Sequence, residues 1–333
     1  MHQYIDRRTQ RVCDERIFGD ALIRTLYSPV LERAPVVARA ASSRWLSSAL
    51  AVVNYDSLLA TRSRGIVGFA RQTNVDLSEC LAAPEELKNT RTFFERQIRY
   101  WDCRPMPTCP SEVVCPTDSR VIIGSMNETS GIFVKEKFFD FSELLSTDRR
   151  RWLETFDGGD FAVFRLTPEK YHYVHVPASG RVEDFYEIGG RYHSCNPGAT
   201  ISLITPYSKN RRVITILQTD APGGAKVGAI AIIEVVALMV GQIEQCYSSY
   251  RYNSPSTIQS GMFLKRGQPK SLFRPGSSTV ILLFQKGRVD FVADLILNRF
   301  RLGVQSRYSI GFDQPIVETE VAVRSALATA KRR

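Results

Sequence analysis

Long apolar runs, paired cysteines and histidines are scarce in this sequence, and each scarcity removes a class of protein. The longest apolar run, residues 229–240, is too short to cross a bilayer and carries Glu234 in its middle, which argues against a transmembrane protein. A secretory leader is not expected, because Asp6, Asp14, Glu15 and Asp20 interrupt the opening residues and no apolar core precedes a small-residue cleavage site. The seven cysteines are odd in number, scattered and without a C-x-x-C pair, so a reduced compartment is expected in place of a disulfide framework. Cys103, Cys109 and Cys115 are evenly spaced, but no histidine accompanies them and Pro105, Pro107, Pro110 and Pro116 break the stretch; no metal site is expected there. Nucleic acid is not an expected partner, since the basic residues are not interleaved with stacking aromatics or set in a binding motif. There is no internal repeat and no low-complexity segment.

What is present is enough to bury a sizeable core: 333 residues, 44% of them hydrophobic. The net charge of +10 points to an anionic partner. Up to Arg71 the chain is rich in Arg and lacks Lys, and Arg24, Arg33, Arg39, Arg44, Arg62 and Arg64 alternate with apolar residues. Leu22, Ile23, Leu26 and Tyr27, then Leu46, Leu50 and Val53, recur at helical spacing. Two or three amphipathic helices over 16–70, lying on an anionic phospholipid membrane, are the expected reading. A short helix over 92–98 presents Phe93, Phe94 and Ile98, and the Pro-rich stretch 104–116 ends helical character. Beyond it, β-branched and aromatic runs at 121–124, 161–166, 171–176, 212–217, 227–236 and 280–284 are separated by turn residues. The predicted fold class is α+β, with N-terminal amphipathic helices in a membrane-associating region 1–104 followed by a mostly antiparallel β domain over 105–333. The tail from Glu318 onward suits a terminal helix or a disordered end.

Only four histidines occur, and His172, His175 and His193 fall close together. On a regular strand His172 and His175 point to opposite faces, so they share a site only if the chain turns or bulges between them. Near the C-terminus, Arg274, Pro275, Gly276, Ser277, Ser278 and Thr279 form a turn that delivers two serines into an apolar strand.

Taken together, these stretches resemble the phosphatidylserine decarboxylase family. The family pattern Tyr-His-x-x-His-x-Pro-x-x-Gly is matched by Tyr171, His172, His175, Pro177 and Gly180. Its Ser-Pro-Ala-Asp-Gly-x-Val is similar to residues 115–121, with Asp118 in place and Ser119 where the family has Gly. Its aromatic helix followed by Arg-Pro is similar to Phe93, Phe94 and Arg96 and then Arg104 and Pro105. Its Gly-Ala-x-x-Val-Gly-Ser-Ile is similar to residues 223–230, and its self-cleavage motif to residues 276–279.

The resemblance implies a precursor that cuts itself into chains 1–277 and 278–333. Asp118 would orient His175, and His175 would take the proton of Ser278 as that serine attacks the carbonyl of Ser277. A second register, between Gly276 and Ser277, also fits the motif; the alignment of Thr279 with the family's Ser-Thr favours the first. The implied cofactor is a pyruvoyl group derived from Ser278, serving decarboxylation as an electron sink. His172 is the implied proton donor or substrate orienter, and His193 and Gly228 are the substrate-binding candidates. The implied activity is conversion of phosphatidylserine to phosphatidylethanolamine by a peripheral membrane enzyme on the cytoplasmic side, with a homodimer as the family's assembly. A decarboxylase of a free, aromatic amino acid is the alternative within the fold, and an unprocessed binding module the alternative outside it.

Overall fold

The computed structural model describes residues 1–15, 65–127, 139–194, 197–202, 205–237, 242–276 and 278–331. Most of the predicted amphipathic region thus lies outside the described residues, and its only described helix is Gly65–Gln72. In chain order the strands are β1 (Gln3–Asp6), β2 (Val12–Asp14), β3 (Glu112–Val114), β4 (Ser119–Ser125), β5 (Asp160–Leu166), β6 (Tyr173–His175), β7 (Gly180–Ile188) and β8 (Arg212–Gln218). They continue with β9 (Ala229–Val236), β10 (Ile243–Gln245), β11 (Phe263–Leu264), β12 (Pro269–Phe273), β13 (Ser278–Phe284), β14 (Val289–Phe291), β15 (Glu318–Val321) and β16 (Ala326–Ala330). One ten-stranded sheet has the order β11-β7-β8-β9-β13-β5-β4-β15-β1-β2, and two three-stranded sheets have the orders β10-β12-β6 and β14-β16-β3. All pairings are antiparallel except β1 with β15.

The centre of the large sheet is covered on both faces. Every residue of β9 and β13 is buried, which is why these strands read as continuous apolar runs without polar alternation. Val280, Leu282 and Phe284 pack with Val121, Phe164 and Val174 in one core. Ile281 and Leu283 pack on the opposite face with Phe156, Tyr308 and Phe312, from helices Arg150–Phe156 and Arg307–Phe312. Each such side chain contributes about 1.5–3 kcal/mol by leaving water. The six predicted runs after Pro116 all contain strands. Helix 92–98 is observed as Thr90–Phe94, started by Asn89, whose side chain accepts from Thr92 N.

Two expectations need correction. The tail forms β15 and β16; the Ala-rich stretch 326–330 has helical propensity, but pairing with β3 and β14 outweighs it. The first fifteen residues do not stand apart from the β domain either. β1 pairs with β15, and β2 with β1. Behind them a buried ionic cluster closes the sheet: Arg165 bonds Glu15 (Nη1–Oε1 2.9 Å) and Glu318 (Nε–Oε1 2.8 Å), Arg120 Nη1 lies 2.5 Å from Glu15 Oε1, and His2 Nε2 donates to Glu318 Oε2 at 2.8 Å. His2, Glu15 and Glu318 are, among the described residues, the one group spaced to hold a metal ion. The two guanidiniums already supply the positive charge that an ion would bring.

Burial opposes the charge on Glu15 and Glu318, yet the guanidiniums, Arg165 foremost, hold both carboxyls below the usual range. Carboxylates depressed in the folded state add stability above their unfolded pKa of about 4.3, and that stability is lost as pH falls through the folded value. Glu15→Gln should therefore destabilise the protein at pH 7 by about 3–5 kcal/mol, as expected when one partner of a buried charge group is removed. The gap from wild type should narrow as pH falls below about 4. Denaturant midpoints across that range check this; equal midpoints at pH 7 would refute it.

Candidate active site

The predicted cleavage turn leads from β12 into the centre of the large sheet. Gly276 has φ of +141°, a conformation that side-chain-bearing residues rarely adopt. Ser277 lies outside the described residues. Ser278 opens β13, paired with Leu166 on one side and Val236 on the other. Its hydroxyl is fully buried and has no hydrogen-bond partner among the described residues. A buried, unsatisfied hydroxyl costs about 1–3 kcal/mol, and such groups concentrate where chemistry needs them.

His172 lies just ahead of β6, and its backbone carbonyl accepts from Phe273 N, the last residue of β12, at 3.2 Å. Its ring stacks on Phe94 with centroids 3.4 Å apart. Nε2 is 3.4 Å from the Pro168 carbonyl, and Nδ1 has no partner among the described residues. Burial, with Arg96 adding to it, pushes the imidazole well below its ordinary pKa, so it is neutral at pH 7.

His175 is held at both nitrogens. Nδ1 donates to the Gly267 carbonyl at 2.9 Å, so Nε2 carries the lone pair and accepts from the Tyr171 hydroxyl at 2.9 Å. Tyr171 in turn lies 2.7 Å from the hydroxyl of Tyr252, which donates to Ile98 O at 3.0 Å. Burial pushes the His175 pKa down to about 3.

Asp118 sits at the mouth of β4, close to His175 through the bond from His175 N to Pro116 O at 2.7 Å. Its carboxylate, however, is taken by Arg104 (Nε–Oδ1 3.0 Å, Nη2–Oδ2 2.8 Å) and by Val323 N at 2.7 Å. Burial raises its pKa, but Arg104 and the Val323 amide more than offset this and keep the carboxyl below the usual range. Arg104 grips Glu79 with its other edge. The implied Asp118–His175 hydrogen bond is therefore not formed in the uncut chain; the two residues are neighbours with other partners.

His193 is tied to the same end of the sheet. Asn210 accepts from His193 N at 2.8 Å and donates at 2.9 Å to both His193 O and Val236 O, and Val236 is the strand partner of Ser278. Burial, with Arg191 adding to it, lowers the His193 pKa to about 4. Gly228 is not brought to this site. It precedes β9 at the opposite end from Val236, with φ of +77°, where a Cβ would strike Gln285 and Arg288; its glycine serves the turn.

Residues missed by the sequence reading include Tyr252, Asn210 and the fully buried pair Glu234 and Lys270, whose Nζ lies 2.7 Å from Glu234 Oε2. Glu234 had a visible signal, a lone carboxylate inside an apolar strand; the others had none.

The sequence profile of the family described as phosphatidylserine decarboxylase matches residues 90–304. The chain belongs to this family. A phosphatidylserine decarboxylase proenzyme of Ruminiclostridium cellulolyticum is 28% identical over 298 residues, covering 89% of this chain and 92% of that protein. Proenzymes of the same name from Clostridium tetani and Bordetella petrii are 29% and 32% identical, covering 93% and 66% of this chain and 97% and 77% of their own lengths. The part matched by the family profile contains Asp118, His172, His175, His193 and Ser278, whereas β1, β2, β15 and β16 lie outside it.

Tyr171→Phe removes the donor on His175 Nε2 and leaves that buried nitrogen unpaired. The variant should be destabilised by about 1–3 kcal/mol, measured by denaturant unfolding of the uncut precursor. An unchanged midpoint would show that the hydroxyl contributes nothing to holding His175.

Proposed function

We propose that this chain is a precursor that cuts itself between Ser277 and Ser278 and then, as chains 1–277 and 278–333, decarboxylates phosphatidylserine to phosphatidylethanolamine at a membrane surface. The observation that carries the reading is the buried Ser278 hydroxyl behind Gly276, which has no hydrogen-bond partner among the described residues.

In the first step the Ser278 oxygen bonds to the carbonyl carbon of Ser277, and the peptide nitrogen of residue 278 leaves as the amine, so an ester replaces the amide. His175 takes the hydroxyl proton. Because Tyr171 occupies Nε2 in the uncut chain, its hydroxyl must yield that nitrogen first. Asp118 keeps a fixed negative charge beside this step, compensated by Arg104. Loss of the Ser278 α-proton then expels the Ser277 carboxylate, and water replaces the nitrogen of the dehydroalanine as ammonia. The surroundings of Ser278 fit the resulting pyruvoyl group, since Leu166 and Val236 flank it and water is excluded.

When formed, the pyruvoyl group supplies a ketone to capture the substrate amine and a carbonyl to accept the electron pair as carbon dioxide leaves. His172 would move the proton that replaces the carboxylate, and its Nδ1, without a partner among the described residues, supports that role. Burial makes its protonated form a strong acid. His193, only partly buried, would orient the headgroup. None of the described helices is long and apolar enough to cross a membrane. Access to a diacyl lipid then requires surface docking, and the Arg-rich apolar stretch 16–70 suits an anionic surface.

Intact-mass analysis should give two chains, the smaller with a blocked N-terminus. Ser278→Ala should remain one chain, as should His175→Ala and Asp118→Ala, while His172→Ala should be cut yet lose decarboxylation by about 10²-fold or more. Cutting of Ser278→Ala, with Ser277→Ala intact, would move the register by one residue.

Binding to phosphatidylserine vesicles should weaken as salt rises and when residues up to Ala70 are removed, each Arg near the surface contributing about 1 kcal/mol at low ionic strength. Carbon dioxide release from free serine should be negligible. Brisk decarboxylation of free tryptophan, with none of phosphatidylserine in vesicles, would transfer the function to amino acids.

A further inference from the structure

The strands on either side of the proposed cut belong to different sheets. β12, which ends at Phe273, lies in the β10-β12-β6 sheet, and β13, which begins at Ser278, lies at the centre of the ten-stranded sheet. One strand touches both. β9 pairs with β13 along its length, with Val236 opposite Ser278 and Glu234 opposite Val280. Residues two apart on paired strands share a face, so the Glu234 carboxylate lies on the same face as the Ser278 hydroxyl.

That carboxylate reaches across to β12. Glu234 Oε2 accepts from Lys270 Nζ at 2.7 Å, and Oε1 accepts from the Ser271 hydroxyl. Gln245 of β10 closes the ring, accepting from Lys270 Nζ at 2.9 Å and donating to Glu234 Oε2 at 3.1 Å. Glu234, Lys270 and Ser271 are all fully buried.

A second observation is independent of this network. Consecutive residues of a regular strand point to opposite faces, yet Lys270 and Ser271 both bond one carboxylate. The β12–β6 register is interrupted at that point: Pro269 is opposite His175 and Ser271 is opposite Val174, leaving Lys270 as the extra residue of a bulge. Bulges re-aim side chains in this way, and they recur beside active sites.

Burying an ion pair among Ile230, Ile232 and Val236 is poor value as stabilisation, because apolar residues of similar volume usually do as well or better. Its direction and its place call for another role. We infer that Glu234, Lys270 and Ser271 form a non-covalent splice: positioning residues that hold β12 in register with β13, so that the scissile carbonyl meets the Ser278 oxygen before the cut and the two new chain ends stay aligned after it. This inference rests on the self-cleavage reading. Apolar contact between sheets is non-directional, whereas a carboxylate bonded from two consecutive residues fixes one register.

Two experiments test the splice. Lys270→Met should lower the thermal midpoint and slow precursor cleavage. The apolar triple variant Glu234→Leu, Lys270→Met, Ser271→Ala should regain the wild-type midpoint but still cleave about 10- to 100-fold more slowly, the loss expected from misplacing reacting atoms by about 1 Å. Wild-type cleavage by the refolded triple variant would reduce the network to a structural filler and overturn the inference. Should the triple variant not fold, hydrogen exchange on two proteins that need no change in the network decides: the Ser278→Ala precursor and the mature wild-type enzyme. Amides of Leu272 in β12 and Val280 in β13 should keep their protection after cleavage, and a tenfold or greater loss confined to β12 would overturn the splice. Absence of any cut in the wild type is a distinct result, which removes the self-cleavage reading and with it the task assigned to the network.

Discussion

A strand buried on both faces cannot slip by one residue without turning every side chain into the wrong core, and β13 is such a strand. Its odd and even positions belong to separate cores, and its neighbours β9 and β5 pair with it from Ser278 to Phe284 without interruption. The first residue of that strand is therefore as well fixed as any in the molecule. If Ser278 is the reactive serine proposed above, this placement gives its oxygen a defined position without a hydrogen bond among the described residues. The strain of the approach is carried by Gly276, whose φ of +141° turns the chain into the sheet.

Burial also governs the charge state of the site. Desolvation is the first cause of the lowered pKa in His172, His175 and His193 alike. Imidazoles held neutral are available as bases at pH 7, and any proton they accept is readily passed on. Asp118 escapes neutralisation because Arg104 grips it, and the same guanidinium anchors Glu79 from the stretch ahead of helix Thr90–Phe94. In the uncut chain the carboxylate is thus matched to a guanidinium, and His175 to a carbonyl and a tyrosine. Such an arrangement leaves the side-chain polar atoms of His175 and Asp118 satisfied. On the proposed reading, cleavage depends on exchanging one neutral hydrogen bond, that of Tyr171, instead of uncovering a buried charge.

The strands after Pro116 were legible because double burial makes them apolar throughout, and the site motif was legible because its residue types are few: three of four histidines and a serine behind Gly. The edges were not. Residues 318–330 carry Ala, Thr and Glu in proportions that suit a helix, and only the non-local partners β1, β3, β4 and β14 make them strands. β1 and β2 are short and polar, and their hold on the sheet comes from Glu15 and His2 meeting Arg165, Arg120 and Glu318, residues far away in sequence. Gly228 shows the opposite failure. A short glycine motif was read as part of the site, whereas a positive φ at a strand entrance explains it fully. Glu234 stands out as a lone carboxylate in an apolar strand, but its role depends on Lys270, whose inward direction comes from a bulge that no local pattern announces.

The sheet order also fits the proposed cut, because a chain severed at that point would remain one body. The 278–333 portion supplies β13, inserted between β9 and β5, and β15, inserted between β4 and β1; its β16 pairs with β3. Each of these three strands has a neighbour from the portion before the cut, so separation of the two would break backbone ladders in two sheets and expose both cores at once. A severed peptide bond at 277–278 removes none of those contacts. On the proposed reading the ends at the cut need only local restraint, and β9 can give it: among the described strands it is joined to β13 by its backbone and to β12 by a side chain.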